Sequence, residues 1–400
     1  PAPTPMQDAV ASADVLFQEL KNAQHPVIVL GGGSQLCATN WIEVALRFNA
    51  EIVTTPEGKG LVSPYHPLFR GVIGFAGHRS AQRLLSDPRS DLVLAVGTQF
   101  GEWSSNGWDK NTLMHERLIH IDDIAENLML TPMARRHICT ELMQLSQALL
   151  MRCRGRGEER DRLVVNEDVQ QHVEAQSIEK EKLEQLQHFE LDDLHNYFND
   201  AEPIKPQWLM HKLTQLFPPS TRYITDTGNS TAWGVHYLHP FDRRMLQRRS
   251  IDRLDNGRRA PRAGLLQCSM EFAAMGWALG NAIGAALAYP DPVVCITGDG
   301  SVLMNGQEMT VALQHRLPII FVVLNDGALG MVKHGQQLAD AELIGTELPN
   351  INFAYMAQAL GIAGYRIESA DDLLSLNIES ILSREGPTVF DVVIDTEQVP

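Results

Sequence analysis

Two acidic turns set 27 positions apart constrain this chain most: Asp299 in Gly298-Asp299-Gly300-Ser301 and Asp326 in Asn325-Asp326-Gly327, each directly after an apolar run. The runs at 293–296 and 319–324 are continuous Val, Ile, Leu, Phe and Cys, which suits strands buried on both faces of a parallel sheet. Between them, Leu303, Gln307, Met309 and Leu313 fit a helix over 302–315, and Leu317-Pro318 ends it. A strand–turn–helix–strand unit carries both turns to the carboxyl edge of an open α/β sheet, where ligands bind. Glycine lets the backbone turn sharply, and the first amides of a helix starting at Ser301 lack intrahelical partners and favour a phosphate. Asp299 and Asp326 then sit on neighbouring strand ends and can share one cation. Hard oxygen donors beside a phosphate cradle suit Mg²⁺ or Ca²⁺ and not zinc. Gly-Asp-Gly alone is an ordinary turn; the paired motif with its intervening elements makes it a site.

The remaining pattern predicts an α/β fold of two doubly wound parallel-sheet domains joined by a charged helical connector. In residues 1–150, Val10, Ala13, Phe17 and Leu20 fall at helical spacing, and a strand over 26–30 ends in Gly31-Gly32-Gly33. Further strands are expected at 51–55, 92–96 and 118–121, alternating with helical stretches. The glycine triplet lacks full Gly-x-Gly-x-x-Gly spacing, so it is a weak dinucleotide signal. Residues 151–202 are charged, and 167–187 has few large apolar side chains, which predicts an exposed helical connector. Residues 203–400 form the second domain, with a helix over 207–217 and a last strand over 388–394.

Composition sets limits. Roughly 100–200 residues per domain gives 400 residues two to four domains, with 44% hydrophobic residues to build cores. Lys and Arg total 33 against 49 Asp and Glu, a net charge of −16 that repels nucleic acid and anionic membranes. Against that balance runs a basic stretch, Arg243, Arg244, Arg248, Arg249, Arg253, Arg258, Arg259 and Arg262. It reads as a solvated, salt-bridged loop, or as a holder of an anionic substrate, an adenine nucleotide or a partner subunit. The five cysteines show no paired or zinc-type spacing and suit a reducing cytoplasm. No apolar stretch reaches membrane-spanning length and no secretory signal pattern opens the chain. Pro1-Ala2-Pro3-Thr4-Pro5 reads as a linker with something before it.

The paired motifs resemble those of the thiamine diphosphate enzymes, in the acetolactate synthase and pyruvate oxidase branch, and the resemblance covers nearly the whole chain. In such enzymes a Gly-Asp-Gly signature closes on Asn-Asn. Its aspartate, the second asparagine and a carbonyl two residues later bind Mg²⁺. The resemblance implies that Asp299, Asp326 and the Ala328 carbonyl oxygen are the metal ligands, with Asp326 standing where asparagine is usual. It further implies cofactor contacts at Gly228 and Asn229, at Gly298, Gly300 and Ser301, and at Leu329, Gly330 and Met331. Met275, in the Ala/Gly-rich helix expected around it, takes the place of the apolar residue that wedges under the bent cofactor.

The first domain resembles the central domain of the same family, which binds flavin in some members. Where flavin-binding synthases carry a cofactor-contacting arginine this chain has Gln99, which argues against FAD and leaves it a secondary possibility.

The resemblance implies a carboligase acting on pyruvate or a related small 2-keto acid, decarboxylating it and joining the carbanion to a second carbonyl. A simple 2-keto acid decarboxylase and a non-catalytic cofactor-binding subunit are the alternatives. Family members carry the activating glutamate on a pyrimidine-binding domain with no counterpart here, so no glutamate is nominated, and Glu308 reads as structural. A homodimer or tetramer, or a separate pyrimidine-binding chain, is expected to complete the site. His334 and Lys333 are substrate-side candidates, each equally readable as a surface residue of a loop. Gly335 stands where biosynthetic acetolactate synthases usually place tryptophan, which widens the pocket. Residues 336–349 read as a lid that excludes water.

Overall fold

Apolar runs with no polar face form strands only where both sides are covered, and that governs both sheets. The computed structural model describes residues 4–112, 116–153, 187–218, 220–240 and 266–400. These fall into two units, one running to Asp192 and the other holding residues 193–239 and 266–400. The expected connector helix over 167–187, save its last residue, and the arginine-rich stretch 243–262 lie outside the described residues.

The first unit contains six strands: β1 (Pro26–Leu30), β2 (Glu51–Thr54), β3 (Phe69–Val72), β4 (Leu92–Val96), β5 (Leu118–Asp122) and β6 (Arg136–Cys139). They pair in parallel in the order β3-β2-β1-β4-β5-β6. The order reverses between β1 and β4, the place where doubly wound sheets open a crevice. Here the glycine triplet has a packing role. Gly31 N–H donates to Val96 O and Gly33 N–H to Gly97 O, both at 2.9 Å, and a Cβ on Gly31 would lie 2.3 Å from Gly97 O. One face of the sheet is covered by Ala81 and Leu85 of the helix Arg79–Ser86, against Val27, Val29, Val53, Val93 and Ala95. Elsewhere in the unit, the helix Leu142–Arg152 packs against Ala9–Asn22 and Ala38–Phe48. Asp8 and Glu141 cap two of these helices by accepting from first-turn amides.

The second unit repeats the architecture with β7 (Arg222–Thr225), β8 (Leu266–Gln267), β9 (Val293–Gly298), β10 (Ile319–Asn325), β11 (Ala363–Ile367) and β12 (Thr388–Val393). All pairs are parallel, in the order β11-β12-β10-β9-β7-β8. Side chains alternate across the sheet. Ile224, Cys295, Phe321 and Val323 meet the helices Trp277–Ala288, Met309–Gln314 and Phe353–Ala359. Tyr223 points the other way and its hydroxyl donates to Leu213 O in the helix Pro206–Leu216.

Two expected helices are corrected. The helix predicted over 302–315 begins earlier and is broken: Asp299–Asn305, a 3₁₀ turn Gly306–Glu308, then Met309–Gln314. At the break Gly306 packs so tightly that a Cβ would lie 2.8 Å from Val302 Cγ1. Leu303 is exposed as a result, while Val302 and Met309 reach the core. Met275 does not lie within its Ala/Gly-rich helix, which starts at Trp277. The left-handed Gly276 (φ 88°) holds the preceding segment apart.

A buried carboxylate on β12 ties the sheet to the loop after β10. Asp391 accepts from Asn325 Nδ2 (2.8 Å), Phe353 N–H (2.8 Å) and Arg366 Nη1 (2.6 Å). Removing it takes the Phe353 N–H acceptor away and leaves Asn325 Nδ2 with Ile351 O and Arg366 with Glu368, so Asp391→Ala is predicted to cost about 2 kcal/mol. An unchanged urea midpoint at constant m-value would refute this account.

Candidate functional site

Strands β7, β9 and β10 lie side by side, so their carboxyl ends bring Asp226, Gly298-Asp299 and Asn325-Asp326-Gly327 to one edge. The Asp299 carboxylate accepts from Gly300 N–H at 2.7 Å and from Gly327 N–H at 2.9 Å, which binds the two acidic turns together. Asp326 Oδ1 accepts from Ala328 N–H at 3.3 Å. Burial, and then the Asp326 charge, push the Asp299 carboxyl up to about 7. Burial likewise raises Asp326.

Ala328 is set by a short antiparallel ribbon. Leu329 N–H donates to Thr346 O (2.7 Å), Leu348 N–H donates to Gly327 O (2.8 Å), and Ala328 is paired with Glu347 between them. In that pattern the N–H and C=O of the paired residue point away from the partner strand. The Ala328 carbonyl therefore points away from the Glu347 strand, on the same side as its N–H. Two carboxylates and a carbonyl are hard donors that fit Mg²⁺ completed by ligand oxygens. No group of three or more His, Cys, Asp or Glu suited to a metal occurs among the described residues.

The surroundings fit an anion beside that cation. Gly228, Gly298 and Gly327 each face open space where a Cβ would stand. Gly228 (φ 97°) and Gly327 (φ 67°) also adopt backbone conformations that favour glycine. Asn229 opens the helix Asn229–Tyr237 directly after Gly228. Within the described residues the Ser301 hydroxyl is buried with no hydrogen-bond partner, a cost of about 1–3 kcal/mol. A phosphate oxygen is the kind of group that satisfies it.

The other predicted residues cluster unevenly. A Cβ on Gly300 would meet Leu329 Cδ2 and Met275 Cε, so Met275 lies against the diphosphate turn. A Cβ on Gly330 would meet Asn229 Nδ2 and Asp326 Oδ2, which brings these three together. Gly330, Met331, Lys333 and His334 belong to the helix Gly330–Leu338, which corrects the loop expected there. His334 is 7% exposed, and its Nδ1 lies 3.2 Å from Asn229 Nδ2. Burial and then neighbouring Lys333 hold its pKa below the usual histidine value. With the Asn229 amide donating to Nδ1, the neutral ring carries its proton on Nε2. Lys333 instead donates to Thr396 O, Thr396 Oγ1 and Glu397. Glu308 is exposed, and so is Gln99 in the first unit.

Two site residues carry no signal strong enough to single them out in the sequence. Asp226, fully buried, accepts from Thr227 N–H (2.9 Å), Gly276 N–H (3.0 Å) and Thr297 Oγ1 (2.8 Å). Asn305 donates to Met275 O at 3.0 Å. An acidic residue ending a buried strand was the available clue for the first.

Comparison with known proteins decides the family. A model of the thiamine pyrophosphate enzyme central domain matches residues 13–149, and one of the thiamine pyrophosphate enzyme C-terminal TPP binding domain matches residues 254–392. The chain belongs to the thiamine pyrophosphate enzyme family. A putative acetolactate synthase large subunit of Mycobacterium tuberculosis is 27% identical over 96% of this chain and 63% of its own length. A probable acetolactate synthase large subunit of Methanococcus aeolicus is 27% identical over 94% and 59%. A putative thiamine pyrophosphate-containing protein of Bacillus subtilis is 26% identical over 95% and 58%. The chain thus spans about three fifths of the length of these thiamine pyrophosphate enzyme relatives.

The acidic pair gives a prediction with a definite sign. An aspartate that titrates at about 7 when folded and at about 4 when unfolded keeps its proton longer in the folded state. Folding stability without Mg²⁺ should therefore fall as pH rises from about 4 to 7. Saturating Mg²⁺, which replaces the proton, should flatten that slope. Asp326→Asn should also flatten it and weaken Mg²⁺ binding about tenfold. Equal Mg²⁺ affinity of the two proteins by calorimetry would refute the contribution of the Asp326 charge to metal binding.

Proposed function

We propose that this chain forms the diphosphate- and metal-holding part of a thiamine diphosphate-dependent carboligase. Its substrate is pyruvate or a related 2-keto acid, which it decarboxylates and joins to a second carbonyl. The observation that carries the proposal is the pairing of Asp299 and Asp326 on adjacent strand ends, where Asp299 accepts from Gly327 N–H and Asp326 from Ala328 N–H. Names of relatives over nearly the full chain favour the acetolactate synthase branch. Thiamine diphosphate, when bound, supplies the nucleophilic carbon and the electron sink of the reaction.

In this reading Asp299, Asp326 and the Ala328 carbonyl hold Mg²⁺. Gly228, Asn229, Gly298, Gly300 and Ser301 receive the diphosphate, and Met275, Leu329, Gly330 and Met331 support the rings. His334, with Nδ1 engaged by Asn229, keeps Nε2–H as a donor toward the substrate side. Lys333 anchors its helix to residues 396 and 397 and is dropped as a substrate group. Gly335 faces open space, which favours a wide acceptor pocket. Residues 336–349 act as a lid whose base is tied to the metal loop by the Thr346 and Leu348 hydrogen bonds. A separate pyrimidine-binding polypeptide supplies the activating glutamate, within a homodimeric or tetrameric assembly of the diphosphate-holding part. Five cysteines with no paired spacing agree with a reducing compartment, and no helix among the described residues is long and apolar enough to cross a membrane.

The test is product analysis of the complete assembly with thiamine diphosphate, Mg²⁺ and pyruvate. Acetolactate or another ligation product is expected. Free acetaldehyde alone would mark a simple decarboxylase. Failure to turn over any 2-keto acid despite stoichiometric cofactor would mark a non-catalytic subunit.

A further inference from the structure

We infer that Asn305 is a positioning residue for Met275, acting through the peptide bond between Met275 and Gly276. Residues 268–276 form no helix or strand, so local hydrogen bonding within a regular element does not fix Met275. Side chains from two segments hold this stretch instead, the loop after β7 and the end of the helix Asp299–Asn305. Thr227 Oγ1 donates to Ala274 O at 3.2 Å. Asn305 Nδ2 donates to Met275 O at 3.0 Å. Asp226 accepts from Gly276 N–H with both oxygens, at 3.0 and 3.1 Å. One peptide group is thus gripped at its carbonyl and at its amide by residues far apart in the chain.

The Asn305 contact is built into the backbone. Gly276 has a φ of 88°, and a Cβ there would fall 2.1 Å from Asn305 Nδ2, so the carboxamide occupies the space a side chain would take. Asn305 ends the helix that starts at Asp299. The helix carrying the metal-side aspartate therefore also orients Met275, whose methyl lies against Gly300. The two roles separate cleanly: Asp299 and Ser301 face the diphosphate, whereas Asn305 acts on the residue beneath the rings. This inference rests on the thiamine diphosphate reading proposed above.

Calorimetry on the full-length protein with Mg²⁺ tests it, comparing inorganic pyrophosphate with thiamine diphosphate. Asn305→Ala should weaken thiamine diphosphate binding about tenfold, the loss expected of one buried hydrogen bond, while pyrophosphate affinity stays unchanged. Asn305→Asp, of nearly the same shape but with an acceptor facing the Met275 carbonyl, should lose at least as much. In a Met275→Ala background Asn305→Ala should add nothing, since its effect runs through Met275. Equal weakening of pyrophosphate and cofactor, or full additivity with Met275→Ala, would overturn the inference. Wild-type protein that binds pyrophosphate with Mg²⁺ but not thiamine diphosphate would also overturn it. Wild-type protein that binds neither overturns the cofactor reading and this inference together.

Discussion

Asp226 is buried at the carboxyl end of β7, where its carboxylate accepts from the backbone of its own loop, from Gly276 and from the Thr297 hydroxyl at the end of β9. A buried carboxylate is costly unless its lone pairs are engaged. Burial raises the Asp226 pKa while these donors oppose the rise. Satisfying one anion therefore sets the spacing of three chain segments remote in sequence. The open faces of Gly228 and Gly298, the position of Met275 and the start of the helix at Trp277 all depend on that spacing.

Asp299 and Asp326 work in the opposite sense. Their carboxyl groups are held close by Gly327 and Ala328 amides, and each is raised by burial with mutual repulsion adding to Asp299. Asp226 stabilises the fold by being satisfied, whereas this pair holds two raised carboxyl groups side by side, an interaction that the proposed divalent cation would relieve. In the proposed reading, neighbouring strand ends hold one anion for structure and two for a ligand, distinguished by their amide partners.

Much of this was legible in the sequence because the central strands are buried on both faces and read as apolar runs. β1 and β4 fall at their expected residues, and β9 and β10 extend one or two residues further. β3, β6, β8 and β11 were not expected. β3 (Phe-Arg-Gly-Val) and β11 (Ala-Gly-Tyr-Arg-Ile) carry charge and glycine, and β8 has two residues. Acidic turns at strand ends announced the paired carboxylates of the candidate site. The grip on Met275 was not readable, since it joins residues 226, 276 and 305 through contacts that no local spacing encodes. The helix around His334 is obscured in sequence by Gly330 and Gly335, and the partner of His334, Asn229, opens a helix remote in the chain.

The ribbon that fixes Ala328 has a consequence for how the chain can change. Gln336 closes the loop beyond it by pairing its amide with both the N–H and the carbonyl of Ile344 (2.9 and 3.1 Å). The turn at 339–343 is thereby enclosed between side-chain and backbone latches, with Leu343 and Ile344 exposed near its tip. Insertions or exchanged loop tips between the latches leave the backbone at 346–348 undisturbed. The edge of the candidate site can diversify without moving the backbone beside Asp326, so on the proposed reading acceptor preference and metal binding are free to evolve as separate traits.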